Sequence, residues 1–255
     1  MPSSPLRDFT RSRVLGALER LSVPNAPTAL LLDDVTRRIL SGACRMSELM
    51  EAGQLTLVDN IHTRPSERST EGYMHAIYLL SPTAESLDAL IADYQEVAVY
   101  RGRCHLLLSS RLPAERLEQL RGCPLLMRHV HTLRELNVPF IALQAWRRDG
   151  AAEEEAASGC AFSLDAPHAL AALYGPGPEA ERASLLSRLA QQTAALCAAL
   201  GEAQPQLRVA RQGHPVCHAF GEALSAELDR AAAAASSSAA ASASASASAN
   251  ALSSL

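Results

Sequence analysis

The sequence predicts an α/β fold: a doubly wound, mostly parallel five-stranded sheet with helices on both faces, then an incomplete second α/β region and a low-complexity tail. Three observations carry that expectation. Five short apolar runs, at 29–32, 55–58, 76–80, 105–108 and 138–143, are bounded by turn residues and are too short for buried helices. Segments of helical period lie between most of them, the alternation expected of βαβ units. Residues 231–255 are almost entirely Ala and Ser, a composition that cannot build a core.

Taken in order, Leu6, Phe9, Val14, Leu18 and Leu21 recur at near-helical spacing and predict a first helix that stops before the turn residues from Ser22 to Pro27. Ala29–Leu32 is the first strand. Beyond Asp34 the positions Val35, Ile39, Leu40, Met46, Leu49 and Met50 switch to helical period, with Gly42 as an interruption and Gly53 as a stop. Leu55–Val58 and Ala76–Leu80 follow as strands, separated by a polar segment, His62–Tyr73, expected to be a mobile surface loop. Helices are predicted over Ser86–Tyr94, after a Ser-Pro-Thr start signal, and over Ala114–Arg121, after Pro113. The strands His105–Leu108 and Val138–Leu143 complete a first domain, 1–143.

The second region, 144–230, opens on a charged spacer, Arg147–Ala157. It should contain a long amphipathic helix from Glu179 to Leu200, a short strand Gln206–Ala210 and a helix from Val216 to Arg230. Leu185, Leu186, Leu189, Leu196 and Leu200 mark the apolar face of the long helix. The tail, 231–255, is expected to be disordered or a frayed alanine helix.

Composition narrows the chemistry. The 255 residues are 48% hydrophobic and 20% charged, ordinary for a globular protein with a sizeable core. With 23 basic and 27 acidic residues the net charge is -4, so no global attraction for nucleic acid or anionic lipid is expected. Every basic residue is arginine, which excludes a Walker lysine and a Schiff-base lysine and favours planar pairing with carboxylates. The 6 cysteines form no C-x-x-C pair and read as reduced thiols of an intracellular protein. The N-terminus lacks an uninterrupted apolar h-region, and no segment is hydrophobic enough to insert into a membrane. A cytoplasmic protein is expected.

Sites of catalysis are hard to find. Gly175-Pro-Gly177 follows no strand and lacks a third glycine, and the nucleophile elbow G-x-S-x-G is absent. Neither Cys123 with His129 and His131 nor His214 with Cys217 and His218 has a standard zinc spacing, so both groups read as structural or solvated residues. Asp33 and Asp34 stand at the end of the first strand, where ligands gather in open α/β sheets. A Mg²⁺-dependent phosphoryl-transfer enzyme using both acids is the alternative function, weakened by the missing lysine. The plainer role is capping, assigned mainly to Asp34 ahead of Val-Thr-Arg-Arg. No cofactor or metal is expected.

Three blocks then become specific: LLLDDVTRRILSGACRMSELMEAGQLTLVDNI, AIYLLSPTAESLDALIADY and HTLRELNVPF. In order and register they resemble the first domain of the Sec/Munc-type (SM) family of syntaxin-binding proteins. LDAPHALAALYGP and RLAQQTAALCAAL are similar to the opening of that family's second domain. The resemblance implies a binding protein rather than an enzyme, one that holds a syntaxin-type SNARE in vesicle docking and membrane fusion and meets membranes only through that partner. Of the family's arch, this chain would hold the first domain and the start of the second.

By the same resemblance, Asp33, Arg38, Arg45 and Asp59 match the charged wall of the cavity that cradles the SNARE. A further basic position falls on Thr63, with Arg64 beside it. Leu117, Val130 and Leu133 match an apolar pocket for the syntaxin N-terminal peptide, with Glu135 placed to meet a basic peptide residue. Read from the residues alone, the same apolar trio is equally a helix-to-sheet core. Neither nucleic acid nor direct membrane insertion is implied.

Overall fold

The computed structural model describes residues 4–68, 73–143, 162–164, 166, 168–202 and 205–252, the side chains of 66 and 234–252 excepted. The chain divides into two compact units, Met1–Asp165 and Ala166–Leu255. The spacer at 147–157 lies outside the described residues.

In the first unit, five parallel strands form one sheet in the order β2-β1-β3-β4-β5. They are β1 (Thr28–Leu32), β2 (Leu57–Asn60), β3 (His75–Leu80), β4 (Cys104–Leu108) and β5 (Val130–Glu135). The central strands β1 and β4 are buried throughout, because helices cover both faces and every side chain meets an apolar layer. On one face α1 (Pro5–Leu21), α2 (Asp34–Ala43) and α3 (Met46–Gly53) pack Val14, Leu18, Leu40 and Leu49 against Leu30, Ile77 and Leu107. On the other, α4 (Ala84–Ala92), α5 (Ala114–Arg121) and α6 (Pro124–His129) pack Leu87, Leu120 and Leu126 against Leu31, Tyr78 and Leu106. Each such leucine contributes about 1.5–3 kcal/mol of burial.

Two predicted strands are displaced. The second begins at Leu57 rather than Leu55: α3 closes on Gln54 in the left-handed region (φ 46), and Leu55 turns into the core before pairing starts. Asp59 thereby enters the sheet opposite Leu31. The fifth sheet strand is Val130–Glu135, not Val138–Leu143. β5 lies at the edge, where one side of the strand stays wet, so its sequence alternates and lacks the continuous apolar run of an inner strand. The more apolar stretch contributes only β6 (Ile141–Ala142), paired antiparallel with β7 (Phe162–Ser163). That pair belongs to the first compact unit, Met1–Asp165. Gly42 permits the close approach of α2 to β6, since a Cβ there would stand 2.6 Å from the Ala142 carbonyl oxygen.

The second unit is built from α7 (Ala169–Tyr174), α8 (Glu179–Ala199) and α9 (Pro215–Leu252). Leu173, Leu186 and Val216 form one small core, and Ala190, Ala194 and Leu224 another. The predicted strand Gln206–Ala210 is exposed chain without sheet partners. Among the described residues this unit has no strand. Residues 231–252 continue α9, the alanine-helix alternative of the sequence expectation, because alanine has the best helix propensity and the helix is already nucleated at Pro215.

Residues 69–72 of the predicted loop His62–Tyr73 lie outside the described residues, and the part up to Arg68 is less free than its composition suggests. Arg68 is 5% exposed, and its guanidinium reaches the Asp93 carboxylate at 2.6 Å and the Ile61 carbonyl, while its Nε donates to the Thr63 carbonyl at 2.8 Å. Tyr78 donates to the same Asp93 oxygen at 2.9 Å. Burial pushes the Asp93 carboxyl above its ordinary value, and Arg68 and Tyr78 pull it part of the way back. Losing the arginine would strand the carboxylate. Arg68→Met is therefore expected to cost about 3–5 kcal/mol in urea unfolding at neutral pH. A lone buried Asp93 folds with a raised pKa and takes up a proton on folding, so the deficit should narrow as pH falls toward the ordinary carboxylate range. A deficit that stays constant with pH would contradict this account.

Candidate functional site

The carboxyl ends of β1 and β3 are joined by one side chain. Asp33 follows β1, is 1% exposed, and caps α2. Its Oδ1 accepts from the Thr36 N–H at 2.7 Å, while its own N–H donates to Thr36 Oγ1 at 3.1 Å. Its Oδ2 accepts from the Ser81 N–H at 2.6 Å, the Ser81 hydroxyl at 2.5 Å and the Ser86 hydroxyl at 2.8 Å. Ser81 follows β3 and Ser86 lies in the first turn of α4. The hydroxyl of Thr36 lies 2.8 Å from the Leu79 carbonyl as well, inside the same knot.

This geometry corrects two expectations. Asp33, not Asp34, is the helix cap, because only Asp33 points inward to donors from β3 and α4. Asp33 also does not face a partner, since both of its oxygens are used within the core. The paired-acid metal site loses its footing on the same ground: Asp34 points to solvent, where it meets Arg37 at 3.1 Å and accepts from the Asn60 amide at 3.0 Å. Among the described residues no group of three or more His, Cys, Asp or Glu could hold a metal ion. No described helix is long and apolar enough to cross a membrane.

The remaining wall residues separate into two places. Arg38 is exposed on α2, with its Nε donating back to the Asp34 carbonyl at 3.3 Å. Asp59 is half-buried in β2 and accepts from the Asn60 N–H at 2.7 Å. Arg64 is exposed on the segment held by Arg68, 3.9 Å from Glu67. Arg38, Asp59 and Arg64 thus belong to the rim around the strand ends. Arg45 does not: it follows the C-terminus of α2, about 15 Å along a helix of that length. There its N–H donates to Glu48 at 2.9 Å, and Glu48 pairs with Arg11 at 2.6 Å. Sequence reasoning passed over Arg37 and Asn60, which bridge Asp34 to the rim; the i,i+3 spacing of Asp34 and Arg37 was the available signal.

Strand register decides where three of the predicted pocket residues lie. Parallel register sets Leu133 opposite Leu106 and Glu135 opposite Leu108, so both lie on the face covered by α5 and α6. Val130 packs into that same core, and Leu117 sits half-buried on α5, three positions before buried Leu120. Leu133 is 41% exposed, an apolar side chain left at the wet edge of the sheet. Glu135 has a second duty: it accepts from the Leu112 N–H at 2.9 Å and so fixes the approach to α5.

Comparison with known proteins agrees with this architecture. The chain matches the Sec1 family over residues 28–250 and belongs to that family. It is 30% identical over 234 residues to "Protein transport protein sec1" of Dictyostelium discoideum, covering 89% of this chain and 35% of that protein. It is 26% identical over 143 residues to "SNARE-interacting protein KEULE" of Arabidopsis thaliana, covering 54% and 21%. The chain therefore spans about a third or less of these relatives. Among solved structures, Unc18 in its complex with syntaxin 1 from Monosiga brevicollis superimposes with a TM-score of 0.69 at 22% identity, covering 91% of this chain and 37% of that one. Vps45 in complex with the Qa SNARE Tlg2 gives a TM-score of 0.67 at 19% identity, covering 88% and 35%. At such identities the likeness is one of fold.

The Asp33 knot makes a direct prediction. Asp33→Ala removes a cap and leaves the Ser81 N–H without its acceptor, and should cost about 3 kcal/mol in urea unfolding. Asp34→Ala, at the solvent-facing neighbour, should cost well under 1 kcal/mol by the same measurement. Equal losses would show that the two acids share the load.

Proposed function

We propose that this chain binds a syntaxin-type SNARE and serves vesicle docking and membrane fusion on the cytoplasmic side of membranes, meeting them through that partner. Membership of the Sec1 family supports the reading, together with relatives and fold neighbours whose names record SNAREs as their partners. The observation that carries it on this chain is the placement of Val130, Leu133 and Glu135 on one face of β5, the face that α5 with Leu117 covers.

Two surfaces divide the work. Arg38, Asp59 and Arg64 on the rim pair with acidic and basic residues of the SNARE helices, and Arg45 offers a separate charge at the far end of α2. The β5 pocket takes an N-terminal peptide of the SNARE, with apolar anchoring by the leucines and charge recognition by Glu135; one of the fold neighbours, Sly1p, was solved in complex with an N-terminal peptide of Sed5p. Exposed ion pairs contribute about 0–1 kcal/mol each, so most of the affinity of this chain rests on the pocket.

Isothermal titration with a syntaxin cytosolic segment and, separately, with its N-terminal peptide tests both surfaces. Leu133→Asp is expected to abolish peptide binding, whereas Arg38→Glu with Arg64→Glu should weaken the long segment about tenfold and leave the peptide unaffected. Binding is expected without Mg²⁺. Failure of both ligands to bind the folded chain would overturn the proposal.

A further inference from the structure

The face of the sheet opposite Leu133 and Glu135 gathers a row of positive charge. Arg134 on β5 stands opposite Leu107, which places it on the α1 side of the sheet, and Arg13 of α1 reaches the same edge by donating to the Leu136 carbonyl at 3.2 Å. The Arg13 guanidinium is also held over the Phe9 ring, 5.0 Å from its centroid. Toward the start of β5, the rings of His105 and His131 meet edge to face at 6.2 Å. Next to them, His75 Nδ1 accepts from the Arg103 N–H at 2.9 Å. Arg103 is held in place because Gly102, just before it, passes so close to Met74 that a Cβ would stand 2.6 Å from the Met74 carbonyl oxygen.

The electrostatics of this row are one-sided. Burial lowers the pKa of Arg13, and Arg134 lowers it further. Burial and then Arg103 and His131 lower that of His75. His105, 6% exposed and with both ring nitrogens unpartnered, is pushed down to about 4 by burial and by His131, His75 and Arg103. Among the described residues no carboxylate enters any of these balances. Among the described residues Arg13, Arg103 and Arg134 form no ion pair, although the chain as a whole has a net charge of -4. A folded chain with spare acids has gathered six cationic or titratable groups from α1, β3, β4 and β5 toward one side of the sheet, with His131 and Arg134 on the edge strand itself.

That strand is also an open edge. β5 pairs only with β4 among the described residues, so its outer main-chain groups are available for pairing. We infer that this edge, on its α1 side, is a docking surface for an extended acidic peptide, whose main chain adds beside β5 and whose alternate carboxylates meet Arg103, His131, Arg134 and Arg13. Charge complementarity argues for an acid-rich occupant, and guanidinium groups pair with carboxylates in a bidentate fork. The strand edge argues for a polypeptide over an anionic membrane, because His75 and His105 are recessed between elements where a flat lipid surface cannot reach. The surface is separate from the leucine pocket, which lies on the other face, and the inference stands whether or not that pocket binds a SNARE.

Fluorescence anisotropy of a labelled peptide of alternating Glu and Thr, about ten residues or ~33 Å long, provides the test on the full chain. Saturable binding that weakens as salt is raised is expected. The pair Arg103→Glu and Arg134→Glu should reduce affinity about tenfold or more with an unchanged melting temperature, while the charge-matched pair Arg188→Glu and Arg208→Glu, exposed in the second unit, should not. A peptide with proline in place of each threonine keeps the acids but loses alternate N–H groups, and should bind distinctly more weakly. Equal affinity of the wild type and the doubly reversed chain would overturn the inference. So would arginine-dependent capture by phosphatidylserine vesicles with no binding of the peptide.

Discussion

Four donors converge on the buried Asp33 carboxylate, and through them the ends of β1 and β3 are tied to the first turns of α2 and α4. In an open α/β sheet this crevice is where a phosphate or a cofactor would enter. Here it is closed by the protein's own hydrogen bonds. A carboxylate in so dry a setting is tolerable only when its acceptors are filled, and the serines and the capping threonine fill them. The consequence is a strand end held rigid by the protein's own groups.

What surrounds the knot follows from that rigidity. Asp34, displaced to the solvent side, links Arg37 and Asn60, and so joins the start of α2 to the end of β2. The Arg68–Asp93 pair then holds the segment beyond β2 against β3 and α4, which keeps Arg64 near the same rim. Buried pairs of this kind add little net stability and fix one arrangement against others. At the opposite edge, β5 separates two unlike surfaces by the alternation of a single strand: Val130, Leu133 and Glu135 toward α5, Thr132 and Arg134 toward α1.

The inner strands were legible because burial on both faces leaves a continuous apolar run, as in Leu30–Leu32, Ile77–Leu80 and Leu106–Leu108. The edge was not. Val-His-Thr-Leu-Arg-Glu obeys strand alternation, yet the more apolar Val138–Leu143 outcompetes it when hydrophobicity is the only guide. The site divides in the same way. That an acid ends β1 is visible in the chain, but whether Asp33 or Asp34 turns inward is decided by Ser81 and Ser86, 48 and 53 positions away. Arg68 and Asp93 carry no local signal of pairing across 25 positions. The row from Arg103 to Arg13 exists only once the topology has brought α1 beside β5. Leu117, Val130 and Leu133 were placed by resemblance, and strand register then set Leu133 and Glu135 on the face into which Val130 packs.

Native-state hydrogen exchange at the Thr36 and Ser81 amides tests the central role of Asp33 most directly. Both N–H groups donate to that carboxylate, so both should exchange only through global unfolding, with an opening free energy equal to that from urea. Exchange of either amide through a low-energy local opening, at rates shared with the exposed segment around Arg64, would contradict it.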